Sequence, residues 1–188
     1  MESWACFDSC ERGLREGLQP ALRSTWRAMQ RPYTVVLDMD DTVVRDKDGR
    51  RESVPWLPVL KDVLCDGGWD HNMRLVLVTA RGRGAEAETQ AEFYEATNWQ
   101  VPIERVICRE PGALDPDNHR DAALFKELGR QVAASPEAPL AATVGDMWWD
   151  VSPADYHEER EALGDYDDTK TYVCMGPDLC VGVKLGDR

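Results

Sequence analysis

Residues 34–44 read Thr34-Val35-Val36-Leu37-Asp38-Met39-Asp40-Asp41-Thr42-Val43-Val44, an apolar run that ends in three aspartates and a threonine. Strands in the middle of a parallel sheet are continuously apolar because helices cover both faces of the sheet. We therefore predict a central strand with Asp38 at its carboxyl end, the edge where open α/β sheets bind ligands. Asp40 projects from the same side if the extended backbone continues, and two neighbouring acids favour a cation beside them.

Length and composition indicate one globular domain. The chain has 188 residues, of which 43% are hydrophobic, and contains no apolar run long enough to span a membrane. Residues 1–6 show neither a basic nor an apolar leader region, so we expect no secretory signal and a cytoplasmic location. The six cysteines form no Cys-x-x-Cys pair, which favours buried reduced thiols over a zinc site or disulfides.

The net charge of −13 argues against non-specific binding to nucleic acid or to an anionic membrane. It does not exclude a local basic pocket, which would suit a small or locally presented phosphate. The cations that could form such a pocket are Arg81, Arg83, Arg105, Arg109, Arg120 and Lys126.

Residues 1–32 are predicted to form an N-terminal helical arm, interrupted at Gly17 and Pro20, before a main domain of residues 33–188. An apolar stripe at helical spacing usually packs on the core, although a partner-binding helix is the alternative. The stripe consists of Leu14, Leu18, Leu22, Trp26 and Met29.

The elements after the first strand follow an α/β order. Asp48-Gly49 indicates a hairpin turn, and its surroundings do not fit a calcium-binding loop. A helix over 56–64 and a second strand over 74–79 follow. Thr79-Ala80-Arg81-Gly82 then forms a turn whose hydroxyl and backbone N–H groups can hold a phosphate.

The second half of the chain repeats this alternation. We predict helices over 85–97 and 119–133, strands over 104–108, 141–146 and 171–175, a capping turn at 115–118 and an acidic helix plus loop at 152–168. Residues 174–188 are interpreted as a short terminal extension. The intervals from Asp41 to Thr79 and from Thr79 to Lys126 leave no room for a cap domain.

Four motifs in this order resemble those of the haloacid dehalogenase (HAD) superfamily, over about residues 33–176. They are Asp38-x-Asp40-x-Thr42, Thr79, Lys126 and Gly145-Asp146-x-x-x-Asp150. A response-regulator receiver domain fails on the order of its threonine and lysine. The last motif, together with Lys126-x-x-x-Arg130, resembles the uncapped subfamily III, the class B and plant acid phosphatase-like branch.

The resemblance implies a Rossmann-like three-layer α/β/α fold with parallel sheet order 3-2-1-4-5 and no large cap. It also implies a Mg²⁺-dependent phosphatase that forms an aspartyl-phosphate on Asp38, with Asp40 as general acid and base. Thr79, Ala80, Arg81 and Lys126 would bind the substrate phosphate. Asp38, the Asp40 main-chain carbonyl and Asp146 would bind Mg²⁺, with Asp150 orienting a metal-bound water.

Several alternatives stay open at this point. Singly, Asp38 could cap a helix, Thr79 could be a strand-end hydroxyl, and Lys126 could be a solvated helix residue. One of Trp148 and Trp149 could line the substrate mouth while the other packs. The expected substrate is a small phosphomonoester, such as a nucleotide or sugar phosphate, or a phosphoprotein. A polynucleotide 3′-phosphatase and a catalytically silent binding or structural protein of the same fold are the alternatives.

Overall fold

The computed structural model describes residues 4–66, 72–98, 101–110, 119–151, 169–175 and 181–186. Its strands are β1 (Trp4–Phe7), β2 (Tyr33–Leu37), β3 (Val44–Lys47), β4 (Arg50–Ser53), β5 (Met73–Gly82), β6 (Arg105–Arg109), β7 (Leu140–Gly145), β8 (Thr171–Met175) and β9 (Val181–Lys184). Its helices are α1 (Cys10–Arg12), α2 (Gln19–Met29), α3 (Leu57–Cys65), α4 (Glu86–Thr97), α5 (His119–Ala133) and α6 (Trp148–Val151), and a π-helical segment, Gly13–Leu18, joins α1 to α2. None of the helices in these ranges has the length and apolar character needed to cross a bilayer.

Seven strands form one sheet in the order β1-β8-β9-β7-β2-β5-β6. Strands β6, β5, β2, β7 and β9 run parallel, whereas β8 is antiparallel to both β9 and β1. The fold is therefore mixed α/β with a mostly parallel central sheet.

The predicted strand order 3-2-1-4-5 is not confirmed. Strands β6, β5, β2 and β7 occupy the first four places of that order, but β9 pairs with β7 where the strand over 171–175 was expected. That strand, β8, lies one position further out. β8 lies further out because β9, part of the segment interpreted as a terminal extension, occupies the place beside β7. Val181 and Val183 of β9 are fully buried there.

Alternate residues of the central strands enter two hydrophobic clusters. Val35 and Leu37 of β2 lie in the larger cluster, together with side chains from the N-terminal segment, α3 and α4. Val36 belongs to the smaller cluster, where Phe125 of α5 covers it. Because neighbouring residues of a strand point to opposite faces, helices pack on both sides of β2. This burial on both faces explains why residues 35–37 are continuously apolar.

The N-terminal segment adds a strand and helices to this core. β1 pairs with β8, which differs from the all-helical arm expected for residues 1–32. Leu14, Leu18 and Leu22 are fully buried, so the apolar stripe faces the core. Pro20 has no N–H to continue an α-helix, and the preceding turn is π-helical, with the Gln19 N–H bonded to the Leu14 carbonyl.

The predicted hairpin forms between β3 and β4. Asp48 and Gly49 both have positive φ, 54° and 74°, as a tight hairpin turn requires. The predicted helices over 56–64, 85–97 and 119–133 correspond to α3, α4 and α5. The predictions for 115–118 and 152–168 lie outside the described residues.

Candidate functional site

Asp38 follows β2 directly and lies at the carboxyl edge of the central strands. Its main-chain N–H donates to the Val144 carbonyl of β7 over 2.9 Å, so the backbone at Asp38 is still fixed by the sheet. The residue is 7% exposed. A carboxylate held this firmly and this deeply needs a cationic partner.

Lys126 of α5 supplies that partner. Its ammonium group, on a residue only 4% exposed, donates to Asp38 Oδ1 and to the Val78 carbonyl, the latter over 2.8 Å. It also forms an ion pair with Asp150 Oδ1 at 2.7 Å. Lys126 therefore joins the carboxyl ends of β2 and β5 to the loop after β7.

Asp146 enters the site from the loop after β7, and Asp150 enters it from α6, which follows directly. Asp150 Oδ2 accepts a hydrogen bond from the Met147 N–H over 3.0 Å, and its main-chain carbonyl accepts one from the Thr143 hydroxyl over 2.6 Å. A side chain at Gly145 would overlap the Asp150 side chain, so only glycine allows this close approach. Oxygen atoms of the Asp38, Asp146 and Asp150 carboxylates lie within 4.8 Å of one another.

The electrostatics of this group favour binding a cation. Burial raises the pKa of Asp38 well above its usual range, and Asp150 and Asp146 raise it further against the opposing effect of Lys126. Burial acts to lower the pKa of Lys126, but Asp150 and Asp38 outweigh it and raise that pKa. Three carboxylates facing one ammonium leave two negative charges when all four groups are ionised. The three aspartates could therefore hold a metal ion, and their all-oxygen donor set suits a hard divalent cation.

Asp40 lies in a second, more exposed group of charges. Arg81 donates two hydrogen bonds to its carboxylate, from Nε to Oδ2 over 2.9 Å and from Nη2 to Oδ1 over 2.7 Å. Arg51 of β4 also donates to Oδ1. Glu92 of α4 binds both guanidinium groups, at 2.9 Å from Arg51 Nε and 2.6 Å from Arg81 Nη1.

These arginines determine the charge state of Asp40. Burial alone would raise the pKa of Asp40, but the hydrogen bonds from Arg81 and Arg51 outweigh it and hold that pKa below its usual value. The pKa of Glu92 is lowered in the same way. Asp40 is therefore ionised at neutral pH in this arrangement.

Thr79 connects the two groups of charges. It ends the regular part of β5, where the register with β6 shifts between Thr79 and Gly82. Its buried hydroxyl lies 3.4 Å from Asp40 Oδ2, and the preceding residue, Val78, supplies the carbonyl that binds Lys126. A bulge at a strand end redirects side chains in this manner beside many active sites.

The structure brings Asp38, Lys126, Asp146 and Asp150 together, as the sequence motifs indicated. The Asp40 side chain lies outside the aspartate triad and pairs with arginines instead. The Ala80 carbonyl accepts a hydrogen bond from Arg109 Nε over 3.3 Å.

Sequence reasoning missed Arg51 and Glu92 as members of this region, and it noted Arg130 only through the motif Lys126-x-x-x-Arg130. The signal for Arg51 was its place in the hairpin that follows Asp40 directly, whereas Glu92 gave no signal because its role depends on how α4 packs. Arg130 is 6% exposed and donates to the Trp149 carbonyl over 2.7 Å, which fixes α6 behind the triad. Trp148 is buried and Trp149 is half-buried.

Comparisons with known proteins identify no family for this chain. No protein-family model matches it, and a search of curated proteins finds no match. The chemistry of the site therefore has to be argued from its own residues.

Proposed function

We propose that the protein is a Mg²⁺-dependent phosphomonoester hydrolase of the HAD type, with Asp38 as the nucleophile. The observation that carries the proposal is the buried contact of Lys126 with Asp38 and Asp150, beside Asp146, at the carboxyl edge of β2, β5 and β7. Structural scaffolds have no need of a desolvated acid cluster with one central lysine, whereas phosphoryl transfer needs both a nucleophile and positive charge.

The finer description of the fold belongs to the same proposal. We assign a Rossmann-like three-layer α/β/α architecture without a large cap, in which β9 inserts between the fourth and fifth predicted strands. Before β5 begins at Met73, the described residues after Asp41 contain only the β3–β4 hairpin and α3, which supports an open site. An open site can accept substrates of different sizes.

The reaction divides among the residues of the site as follows. A carboxylate oxygen of Asp38 attacks phosphorus, the bond to the leaving oxygen breaks, and water later cleaves the aspartyl-phosphate to release inorganic phosphate. Lys126 and the Thr79 hydroxyl stabilise the negative charge on the transferring oxygens. A Mg²⁺ ion held by Asp38, Asp146 and Asp150 would supply further charge neutralisation.

Asp40 is assigned the proton transfers. Its lowered pKa keeps Asp40 ionised, which the second step requires because a carboxylate then accepts a proton from the attacking water. In the first step Asp40 has to donate a proton to the leaving oxygen. The hydrogen bonds from Arg81 and Arg51, which keep Asp40 ionised, therefore have to break when substrate binds. The arginine contacts thus link substrate binding to the acid role of Asp40.

Phosphate release from p-nitrophenyl phosphate tests the proposal. We expect Mg²⁺-dependent turnover at about pH 5 to 8, abolished by EDTA and restored by Mg²⁺. Asp38→Asn should lower turnover by at least about 10³-fold, because an amide cannot act as the nucleophile. Circular dichroism would verify that the variant is folded.

The competing proposal is a catalytically silent protein of the same fold. It predicts that wild type releases no more phosphate than Asp38→Asn from any of several phosphomonoesters across that pH range. Such a result would leave the charge cluster with a purely structural or cation-binding role.

A further inference from the structure

Two guanidinium groups converge on a single oxygen atom at the exposed side of the site. Arg51 Nη2 and Arg81 Nη2 both donate to Asp40 Oδ1. Glu92 meanwhile binds a different nitrogen of each arginine, Nε of Arg51 and Nη1 of Arg81. Glu92 therefore orients both groups from one side and leaves the Nη2 atom of each directed at one anionic oxygen.

Arg51 reaches this point from the hairpin. It lies on β4, whose other residues are exposed or half-exposed. The other hairpin ion pairs in the described part of the chain, from Arg45 and Lys47 to Glu52, stay within the hairpin. Among the described contacts, the ion pairs of Arg51 with Asp40 and Glu92 therefore tie the far end of the hairpin to the domain.

We propose that Arg51 is a further anion-binding residue of the site. Once the hydrogen bonds from Arg51 and Arg81 to Asp40 break, both arginines bind a phosphate-type oxyanion. This inference rests on the proposed function for the identity of the anion. Arginine suits the role because its planar guanidinium group can donate two parallel hydrogen bonds to phosphate oxygens. Glu92 would keep the guanidinium groups of Arg51 and Arg81 in place while their hydrogen-bond acceptor changes from the Asp40 carboxylate to the substrate phosphate.

The contact of Arg51 with Asp40 is exchanged more easily than that of Arg81, whose side chain is only 18% exposed. The side chains of Arg51 and Asp40 are 40% and 41% exposed, and an ion pair between groups this exposed to water is weak. Thr79 Oγ1 lies 3.4 Å from Asp40 Oδ2, so an anion near Thr79 is adjacent to both arginines. A dianionic phosphate offers these guanidinium groups more charge and more acceptor atoms than the single carboxylate does.

The alternative is that Arg51 merely fastens the hairpin to α4. A fastening role affects stability, whereas an anion-binding role also affects affinity for phosphate. The two roles can be separated because Arg50, the preceding residue of β4, is exposed and, by strand alternation, points to the opposite face of the hairpin. Arg50→Gln removes the same charge from the same strand and serves as the matched control.

Calorimetric titration of the full-length protein with inorganic phosphate in the presence of Mg²⁺ tests the proposal without requiring turnover. Arg51→Gln should weaken the phosphate Kd about tenfold, because charge-assisted hydrogen bonds are lost. Arg50→Gln should change it less than about twofold, and Arg51→Lys should fall between them. With p-nitrophenyl phosphate, Arg51→Gln should raise KM more than it lowers kcat, as loss of a binding contact does.

An unchanged Kd and KM in Arg51→Gln, with or without a lower Tm, would overturn the proposal and leave Arg51 a fastening residue. A wild-type protein that binds no phosphate at millimolar concentration would overturn it as well. If Arg51→Gln does not fold, Arg51→Lys decides, since a Kd equal to that of wild type would also refute the role. Arg51-dependent phosphate binding without turnover would sustain this inference and reject the proposed function. Phosphatase turnover by the wild type, together with a Kd and KM of Arg51→Gln equal to those of wild type, would sustain the proposed function and reject this inference.

Discussion

At the scale of single residues, two buried carboxylates share Lys126. Its ammonium contacts Asp38 and Asp150, and its side chain is 5% exposed. Deleting one partner of a buried ion pair usually costs more than the pair contributes, because the remaining charge stays desolvated. The stability of the metal-free site should therefore depend on this lysine.

Lys126→Met keeps the length of the side chain and removes the charge. We expect it to lower the free energy of unfolding by about 3–5 kcal/mol in EDTA at neutral pH. Burial and the neighbouring acids already raise the pKa of Asp38. The folded variant therefore binds a proton more tightly than the unfolded chain, and its deficit should shrink as pH falls.

Urea unfolding at several pH values measures this effect. Lys47→Met, at an exposed lysine that pairs only within the hairpin among the described contacts, is the control and should cost less than about 1 kcal/mol. An equal loss of unfolding free energy in Lys126→Met and Lys47→Met, or a loss in Lys126→Met that grows at low pH, would contradict a role of Lys126 in neutralising the buried aspartates.

Gly145 offers a second test at this scale. Its Cα lies against Asp150, and an added methyl group would overlap the Asp150 carboxylate. Gly145→Ala should destabilise the protein by about 1–3 kcal/mol and impair phosphate release, since Asp150 has to move. Gly82→Ala meets no atom within 4 Å and should stay within about 0.5 kcal/mol of wild type in thermal unfolding. Similar shifts in the two variants would mean that the loop after β7 adapts freely.

Individual site residues were predictable where a motif combined residue type with a strand end. Asp38, Asp146 and Asp150 meet these conditions, and the structure places their carboxylates together. The partners of Asp40 were not predictable, because Arg51 and Glu92 come from two elements whose relative position only tertiary packing determines. Sequence spacing carries no information about such contacts.

At the scale of elements, β2, β5 and β7 were predictable because burial on both faces makes most of their central residues apolar. β9 was not, because it has only four residues and contains Gly182, which has no side chain to indicate a strand. Its strand conformation comes from pairing with β7 and β8 on either side. Strand preference is strongly dependent on context, and here the neighbours decide it.

Val183→Asp tests whether β9 is part of the core. Val183 is fully buried between two strands, so an aspartate there would place an unpaired charge in the sheet and should prevent stable folding. The matched control is Val132→Asp on α5, where the side chain is 58% exposed and the cost should be under about 1 kcal/mol. Far-UV circular dichroism with urea titration compares them, and a folded Val183→Asp protein would show that β9 is dispensable.

At the scale of the whole molecule, charge bears on the choice of substrate. The chain carries a net charge of −13. Of the arginines considered for a basic groove, Arg81 binds Asp40 and Glu92, and Arg83 binds Glu110 at 2.8 Å. Such pairing leaves less free positive charge for a polyanion than the arginine count suggests.

We therefore rank a small phosphomonoester above a phosphoprotein, and both above a 3′-phosphorylated nucleic-acid end. A panel of a mononucleotide, a sugar phosphate, a phosphopeptide and a 3′-phosphorylated oligonucleotide, each with wild type and Asp38→Asn, measures this order as phosphate release. We expect kcat/KM to be highest for a small substrate and to change little with salt, since few counterions are released when one phosphate binds. For the oligonucleotide, repulsion by the acidic surface should give slow hydrolysis. Much faster hydrolysis of the oligonucleotide, falling steeply as salt rises, would instead show that the arginines exchange their acidic partners for a nucleic-acid backbone.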